Sequence, residues 1–506
     1  MKTTWGKLAA HIEQHFTLWG ATLAALAVGT ALIAYFLPSF AKEGPSADGG
    51  VLPTPVAPAD GGVFPPPAPS AAPSDVLLYE FAIPPQYEWV SHFQEGLAAV
   101  VENGKWGLID KTGQVVLPII YDSIGHNIDH YIFHDGMTAV SLDGKWGAID
   151  TSGQLVIPLM YDYIDEFHDG IAIAVLPDDK RGLIDKTGTA VVPLEYQLVF
   201  NFKHGLAGVK LNDQMGFVDK DNRVVIPFLY DSGQVLSDNF IVVWLDKKIG
   251  FIDFAGNVIF PPIYDDLFIS YAEGVFPVKR NGIWDVIDRT GREVLRFAAA
   301  DSVTVITQDM FQVRQDSRLT RVDSTGRHIM PSHIDGHPII SVSTPSEGVS
   351  SFRINTAPTG HWGFISDAGD VVIQPKYHAA GAFFNGLSVA CLEGKWGVID
   401  KEDNAIIPFL YDAVDRHYFQ NGALAVMRDR KWGFIDTTGK EIVPLLYSRT
   451  EPFYNGMARV ERNEKWGFVD KDGIEIVPPR YDAAFNFAEG MAAVMVDGKW
   501  GFIAIK

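Results

Sequence analysis

The octapeptide Glu393–Asp400, EGKWGVID, recurs along the chain with small changes. Asn103 opens NGKWGLID, Asp143 opens DGKWGAID, Asp429 opens DRKWGFID, Asn463 opens NEKWGFVD and Asp497 opens DGKWGFIA. A catalytic motif is needed once. A stretch written six times is scaffold, and its spacing decides the fold. The glycine of the Trp-Gly step, or the residue in its place, falls at Gly107, Gly147, Gly182, Gly216, Gly250, Asp285, near Thr320, and at Gly363, Gly397, Gly433, Gly467 and Gly501. Most steps are 34–36 residues; the first is 40 and the step into Gly363 is 43. These positions define about twelve units of roughly 35 residues.

The unit from Phe453 shows three pieces: FYNGMARVERN, EKWGFVDKDG and IEIVPPRYDAAF. Short β-branched and aromatic runs between Gly-containing turns predict three strands per unit. No stretch of the body keeps a helical period over three turns. Asn-Gly or Asp-Gly before the KWG strand suits a tight hairpin. The Asp-x-x-Gly after it recurs as DKTG, DTSG, DRTG, DSTG, DTTG and DKDG. There Asp opens a type I turn by accepting backbone N–H groups, and Gly takes the left-handed position. A calcium loop would need several convergent oxygens, which the intervening Lys-Thr does not supply. Trp106, Trp146, Trp362, Trp396, Trp432, Trp466 and Trp500 each offer one large apolar plate per unit, suited to filling the gap between neighbours. The preceding Lys is placed to lay its stem along the ring.

GLAAVVENGKWGLIDKTGQVVLPIIYD resembles the WG-repeat (KWG-repeat) family of bacterial proteins, over residues 78–506. The motif is eroded to KRGLID, QMGFVD, KIGFID, IWDVID and LTRVD in several units. The resemblance implies a β-rich repeat protein and carries over no catalytic residue. The expected fold is all-β: tandem three-stranded repeats in a propeller-like or superhelical array, preceded by one transmembrane helix. The last unit stops after its KWGFIAI strand, and Phe81–Glu88 near the start of the body, FAIPPQYE, resembles the strand it lacks. The first segment is thus placed to complete the last unit, as closed rings of sheets do.

Hydrophobic residues make up 47% of the 506 and charged residues 20%, enough apolar material for a large core. The formal charge is −21. Residues 1–77 hold three lysines against five acids, so a net −19 belongs to 78–506. Such a body repels phosphate backbones, which argues against nucleic-acid binding. The single cysteine, Cys391, sits where other units carry small apolar residues and reads as a buried small hydrophobe. No cofactor or metal is implied. GxSxG, HExxH, CxxC and P-loop patterns are all missing from the body.

Residues 17–37, TLWGATLAALAVGTALIAYFL, carry no charge and are long enough to span a bilayer as a helix. Lys2 and Lys7 precede this stretch, which orients residues 1–16 to the cytoplasm and the body outward. A cleaved signal peptide ending near Ser39-Phe40-Ala41 is the competing reading. Residues 38–77 are a Pro-, Ala- and Gly-rich linker. The expected localisation is therefore single-pass inner membrane with a periplasmic or extracytoplasmic repeat body.

Function in a repeat array is sought where the repeat breaks. The stretch after Asp122, SIGHNIDHYIFHDG, holds His126, His130 and His134, whose spacing would align them on a helix. The eroded region from Leu319 to His361 holds His333 and His337. These five histidines are the candidate binding residues, each with the alternative of a solvated loop. The expected function is a membrane-tethered, non-catalytic scaffold that binds an envelope protein. The alternative is a glycan- or peptidoglycan-binding, or glycan-processing, envelope protein, whose signature would be exposed aromatics beside carboxylates.

Overall fold

In a computed structural model of the chain, the structure describes residues 79–505 except 126–131, 237–239, 268–273, 317 and 357–359. Every regular element among them is a strand, and the strands form twelve antiparallel sheets. Each sheet is one blade. Blade 1 comprises Trp89–Val90, Leu97–Glu102, Lys105–Asp110 and Val115–Tyr121, hydrogen-bonded in chain order. The blade therefore has four strands, not the three expected. In most blades the missed strand is a residue pair, too short to carry any period: Trp89–Val90 here, Ala413–Val414 in blade 10; it is longer in blade 5, Ser232–Val235, and in blade 7, Ser302–Thr307. Blade 8 has a fifth strand, His333–Ile334.

The long fourth strand is a sheet edge, where proline is tolerated. It is also bulged. In blade 9 Trp396 pairs with Tyr411 and Val398 with Ile407, so Gly397 alone faces Pro408, Phe409 and Leu410. The bulged chain folds over the glycine. A Cβ at Gly397 would lie 2.7 Å from the Ile407 carbonyl oxygen and 2.9 Å from the Phe409 ring. Gly107 meets the same obstruction from Leu117 and Ile119. The Trp-Gly step is thus matched to the x-Pro-x of the neighbouring strand. Blade 6 supplies the exception that explains the rule. Its fourth strand, Glu293–Phe297, has no proline and pairs with Trp284, Asp285 and Val286 one to one. There the glycine is replaced by Asp285, buried and bonded to Arg296 Nε at 2.9 Å.

The turn chemistry follows the sequence. Asp110 Oδ1 accepts the backbone N–H groups of Thr112 and Gln114 and the Thr112 hydroxyl, and Gly113 has φ +84°. The Tyr-Asp aspartate clamps two blades together. Asp122 accepts Lys105 Nζ at 2.5 Å from blade 1 and the Asp143 N–H from the hairpin of blade 2. The same pair recurs as Lys145–Asp162, Lys248–Asp265, Lys395–Asp412 and Lys465–Asp482. The motif lysine is thus held by this carboxylate, which the sequence reading did not anticipate. Both partners are well exposed, so solvent screens each pair and its contribution to stability is small.

Twelve apolar clusters lie between successive blades. One joins blades 9 and 10 through Val389, Val398, Leu424 and Ile435. The last joins blade 12 to blade 1 through Trp500, Phe502, Val90 and Ile109. Blade 12 is completed by the N-terminal strand Tyr79–Tyr87, which pairs with Lys499–Ile505 through Tyr79 and Ile505, Glu80 and Ala504, Phe81 and Ile503. The succession of blades therefore closes on itself. Among the described residues no helix is long and apolar enough to cross a membrane. The expected span 17–37 lies outside the described residues. The anchored, single-pass topology with a cytoplasmic N-terminus and a membrane-tethered body finds no support in the structure and is not carried forward.

Candidate functional site

The loop between the first and second strands varies most from blade to blade. Its last turn recurs in nine blades among the described residues: one residue bridges to the residue three further on, as in Gln94 to Leu97, Phe384 to Leu387 and Tyr454 to Met457. The residue after it has φ near +50° and is followed by glycine, as at Asn385-Gly386 and Asn455-Gly456. These turns hold neighbouring blades together. Glu489 of blade 12 accepts the N–H groups of Glu95 and Gly96 of blade 1, and Glu347 of blade 8 accepts the Gly386 N–H of blade 9.

Beside these turns the structure leaves small clefts between blades. In the cleft between blades 10 and 11, Gln420 and Ala425 face Phe453, and Asp415, Arg416 and Tyr418 form the rim. Between blades 2 and 3, His134 and Thr138 face Glu166 and Phe167. Between blades 4 and 5, Asn201 and Lys203 face Gln234 and Val235, around a cavity of about 110 Å³. His134, Lys203 and Gln420 are equivalent positions, since each makes the bridge that closes its turn. Each cleft also contains one buried acceptor without a hydrogen-bond partner: Thr138 Oγ1, Asn201 Oδ1 and Gln420 Oε1. The three atoms stand at different places in the blade: Gln420 makes the bridge itself, Asn201 lies two residues before the bridging Lys203, and Thr138 lies four residues after the bridging His134.

The cleft between blades 10 and 11 is flanked by exposed rings. Phe384 is 56% exposed, Tyr454 47% and Tyr418 40%. Phe384 and Tyr418 lie 5.9 Å apart across the junction of blades 9 and 10. The cause is local. The loop of blade 10, Ala413–Gly422, is two residues longer than Ala379–Gly386 and Arg449–Gly456 around it. The extra length stacks His417 on Trp396 at 4.9 Å and carries Tyr418 to Phe384. Burial lowers the His417 pKa, which favours the neutral ring. Gly381 makes room for this: a Cβ there would lie 2.9 Å from the His417 Cβ. None of these three aromatics stood out in the sequence. The available signal was the two-residue excess in one loop, overshadowed by the larger excess after Asp122.

The histidines singled out from the sequence fall in different places. His126 and His130 lie outside the described residues. His134 sits in a bridge rather than a helix, with Nε2 3.5 Å from Glu166 Oε2; His168 approaches the same oxygen at 3.8 Å. His333 Nδ1 bonds the Ser332 hydroxyl, and His337 opens the strand His337–Val342. The structure does not bring His333 and His337 to the His134 cleft. Among the described residues no group of three or more His, Cys, Asp or Glu could hold a metal ion. Of the motif tryptophans, Trp106, Trp146, Trp362, Trp396, Trp432 and Trp466 are half-buried against inter-blade clusters, and Trp500 is buried. Cys391 is buried in blade 9, and burial raises its thiol pKa.

Four-stranded blades packed in closed succession, with variable loops along one edge, define a propeller-like repeat scaffold. The recurring residues build strands, turns and blade contacts. The chain belongs to the WG-repeat family: the model of the WG containing repeat matches ten segments between residues 80 and 500, interrupted from 285 to 361. That gap runs from the third strand of blade 6 through blade 7 to the strand Val349–Ile354 of blade 8. None of the curated proteins matches the chain. Similar solved structures include a eukaryotic initiation factor, 12% identical, covering 69% of this chain and 95% of its own, with a TM-score of 0.33. BamB from Moraxella catarrhalis is 10% identical over 52% of this chain and 88% of its own, with a TM-score of 0.25. PorZ, a surface component of the type-IX secretion system of Porphyromonas gingivalis, is 8% identical over 82% of this chain and 73% of its own, with a TM-score of 0.21.

Proposed function

We propose that this protein is a non-catalytic glycan-binding repeat protein, and that blades 9 to 11 carry a principal binding surface. The observation behind this reading is the pair of exposed rings Phe384 and Tyr418, 5.9 Å apart, with Tyr454 exposed on the next blade, beside a cleft rimmed by Asp415 and Arg416. A sugar presents an apolar C–H face and a polar hydroxyl edge. Flat aromatic rings take the first, and carboxylate and guanidinium groups take the second. The closed set of blades fits a rigid surface that needs no ordering when the ligand arrives. The acidic body suits neutral or cationic glycans and disfavours polyanionic ones.

Titration calorimetry of the full chain against soluble neutral oligosaccharides tests this reading. Tyr418→Ala and Phe384→Ala each weaken binding roughly tenfold, in keeping with about 1.4 kcal/mol for one ring contact. Oligosaccharide binding left unchanged by both substitutions contradicts the placement. Binding of proteins but of no glycan contradicts the class of ligand.

A further inference from the structure

At four places one carboxylate joins a lysine of one blade to the hairpin of the next. Asp122 Oδ1 accepts Lys105 Nζ at 2.5 Å, and its Oδ2 accepts the Asp143 N–H at 2.7 Å. Asp265 divides its oxygens in the same way between Lys248 and the Asn281 N–H, Asp412 between Lys395 and the Asp429 N–H, and Asp482 between Lys465 and the Asp497 N–H. The lysine, helped by the hairpin N–H, holds each of these carboxyls below its ordinary pKa range, so the position favours an anion. The aspartate stands seventeen residues after its lysine in every case.

Blade 10 breaks the pattern. Its lysine is Lys431, and the residue seventeen further on is Ser448. The backbone around it is kept. The Ser448 N–H bonds the Glu461 carbonyl at 2.8 Å, as the Asp482 N–H bonds that of Met495. Asn463 opens the hairpin of blade 11 fifteen residues after Ser448, the same interval that separates Asp482 from Asp497. Only the carboxylate is gone, and the Ser448 hydroxyl turns to the Glu461 carbonyl at 3.0 Å. Among the described residues the Lys431 ammonium and the Asn463 N–H have no partner, and neither Asp429 nor Glu464, the acids of the two hairpins, makes an ion pair with Lys431. Lys431, Ser448 and Asn463 are all exposed.

We infer that Lys431 and the Asn463 N–H form an open carboxylate site, and that an acidic side chain of a peptide segment fills it. Loop and hairpin lie at opposite ends of the strand Ala423–Arg428, so this site is on the other edge of the blades from Tyr418 and does not depend on the glycan reading. The four filled positions show how the ligand sits. One oxygen goes to the ammonium, the other to the backbone N–H, and the carboxylate reaches both on a single methylene. Both contacts are charge-assisted, the stronger class of hydrogen bond. An aspartate on an extended peptide provides that slender stem. A carboxylate carried directly on a sugar ring would bring the ring in between the two hairpins. Arg430 and Arg449 flank the site in the chain, and Arg449 is exposed over the Trp466 ring. They add positive charge at one spot of an acidic body, which draws a short acidic segment there.

The test follows the Asn463 amide by NMR in the full chain labelled with 15N-asparagine. It is run at low ionic strength, where screening of exposed charges is least. The probes are acetyl-Ala-Asp-Ala-amide and its neutral counterpart acetyl-Ala-Asn-Ala-amide. The aspartyl peptide is expected to move the Asn463 resonance saturably, and the asparaginyl peptide to leave it in place. Lys431→Ala, at an exposed position, is expected to weaken the aspartyl peptide about fivefold. Ser448→Asp supplies the chain's own carboxylate and is expected to abolish the response without lowering the melting temperature. Lys105→Ala, the same change at a filled position, is expected to leave the response as in wild type. An Asn463 resonance that both peptides move equally or not at all overturns the site, as does a response that survives both Lys431→Ala and Ser448→Asp. Saturable movement by sodium glucuronate with none by the aspartyl peptide assigns the site to a sugar acid and overturns the peptide.

Discussion

Gly397 faces three residues of the strand beside it, so a methyl group there has nowhere to go. Gly397→Ala is expected to cost about 1–3 kcal/mol, through overpacking against backbone that cannot withdraw. Urea unfolding at neutral pH measures it; a midpoint equal to wild type contradicts the matched bulge. The turn aspartates make a second case. Hydroxyl and backbone donors hold the carboxyls of Asp110, Asp288 and Asp436 below the ordinary range, and that of Asp323 at about 2. A carboxyl depressed in the folded state contributes stability that is whole above its unfolded pKa, about 4. That contribution is lost as pH falls through the folded value. The urea midpoint is therefore expected to hold from pH 7 to near 5 and to fall steadily below 4. Thr438→Ala removes the chief hydroxyl donor to Asp436. It should lower the midpoint at pH 7 and shrink the drop toward pH 3. Identical pH profiles for the two proteins would remove the turn hydrogen bond from the account of acid stability.

Among the elements, the strands legible in the sequence were those long enough to show a pattern. The KWG strand and the Pro-bearing strand carry motif residues, and the turns between them carry Asp and Gly for stated reasons. The two-residue first strand was not legible. Ala483–Ala484 and Arg449–Thr450 share a backbone role and no side-chain character, because only backbone hydrogen bonds define them. The Trp-Gly glycine is a place of close approach. Its partner, the bulged proline strand, follows from the register and could not be read from either piece alone. The aromatic pair was hidden for a similar reason. Phe384 and Tyr418 lie 34 positions apart in the chain and meet only because blade 9 packs on blade 10. The loop excess around Asp415–Gln420 is also where a binding change can be made without touching the core. Shortening Ala413–Gly422 by two residues should leave thermal unfolding within a few degrees of wild type and abolish the Tyr418 contribution to binding. A large fall in melting temperature would show that this loop belongs to the fold.

For the molecule as a whole, closure is the property on which the rest depends. Twelve inter-blade clusters for twelve blades leave no terminal blade with a bare apolar face, and the pairing of Tyr79–Tyr87 with Lys499–Ile505 leaves no unpaired last strand. The resemblance of Phe81–Glu88 to the missing final strand pointed to this in the sequence. Periodicity alone could not separate a ring from an open array, because both use the same unit. The direct measurement is an intrachain crosslink between the two ends. Glu80 and Ala504 face each other across the closing pair, so Glu80→Cys with Ala504→Cys, in a Cys391→Ala background, places two thiols side by side. Closure requires that the oxidised protein run as a monomer, lose two mass units and resist heat better than its reduced form. Free thiols after mild oxidation, or disulfides formed only between chains, would contradict a closed set of blades.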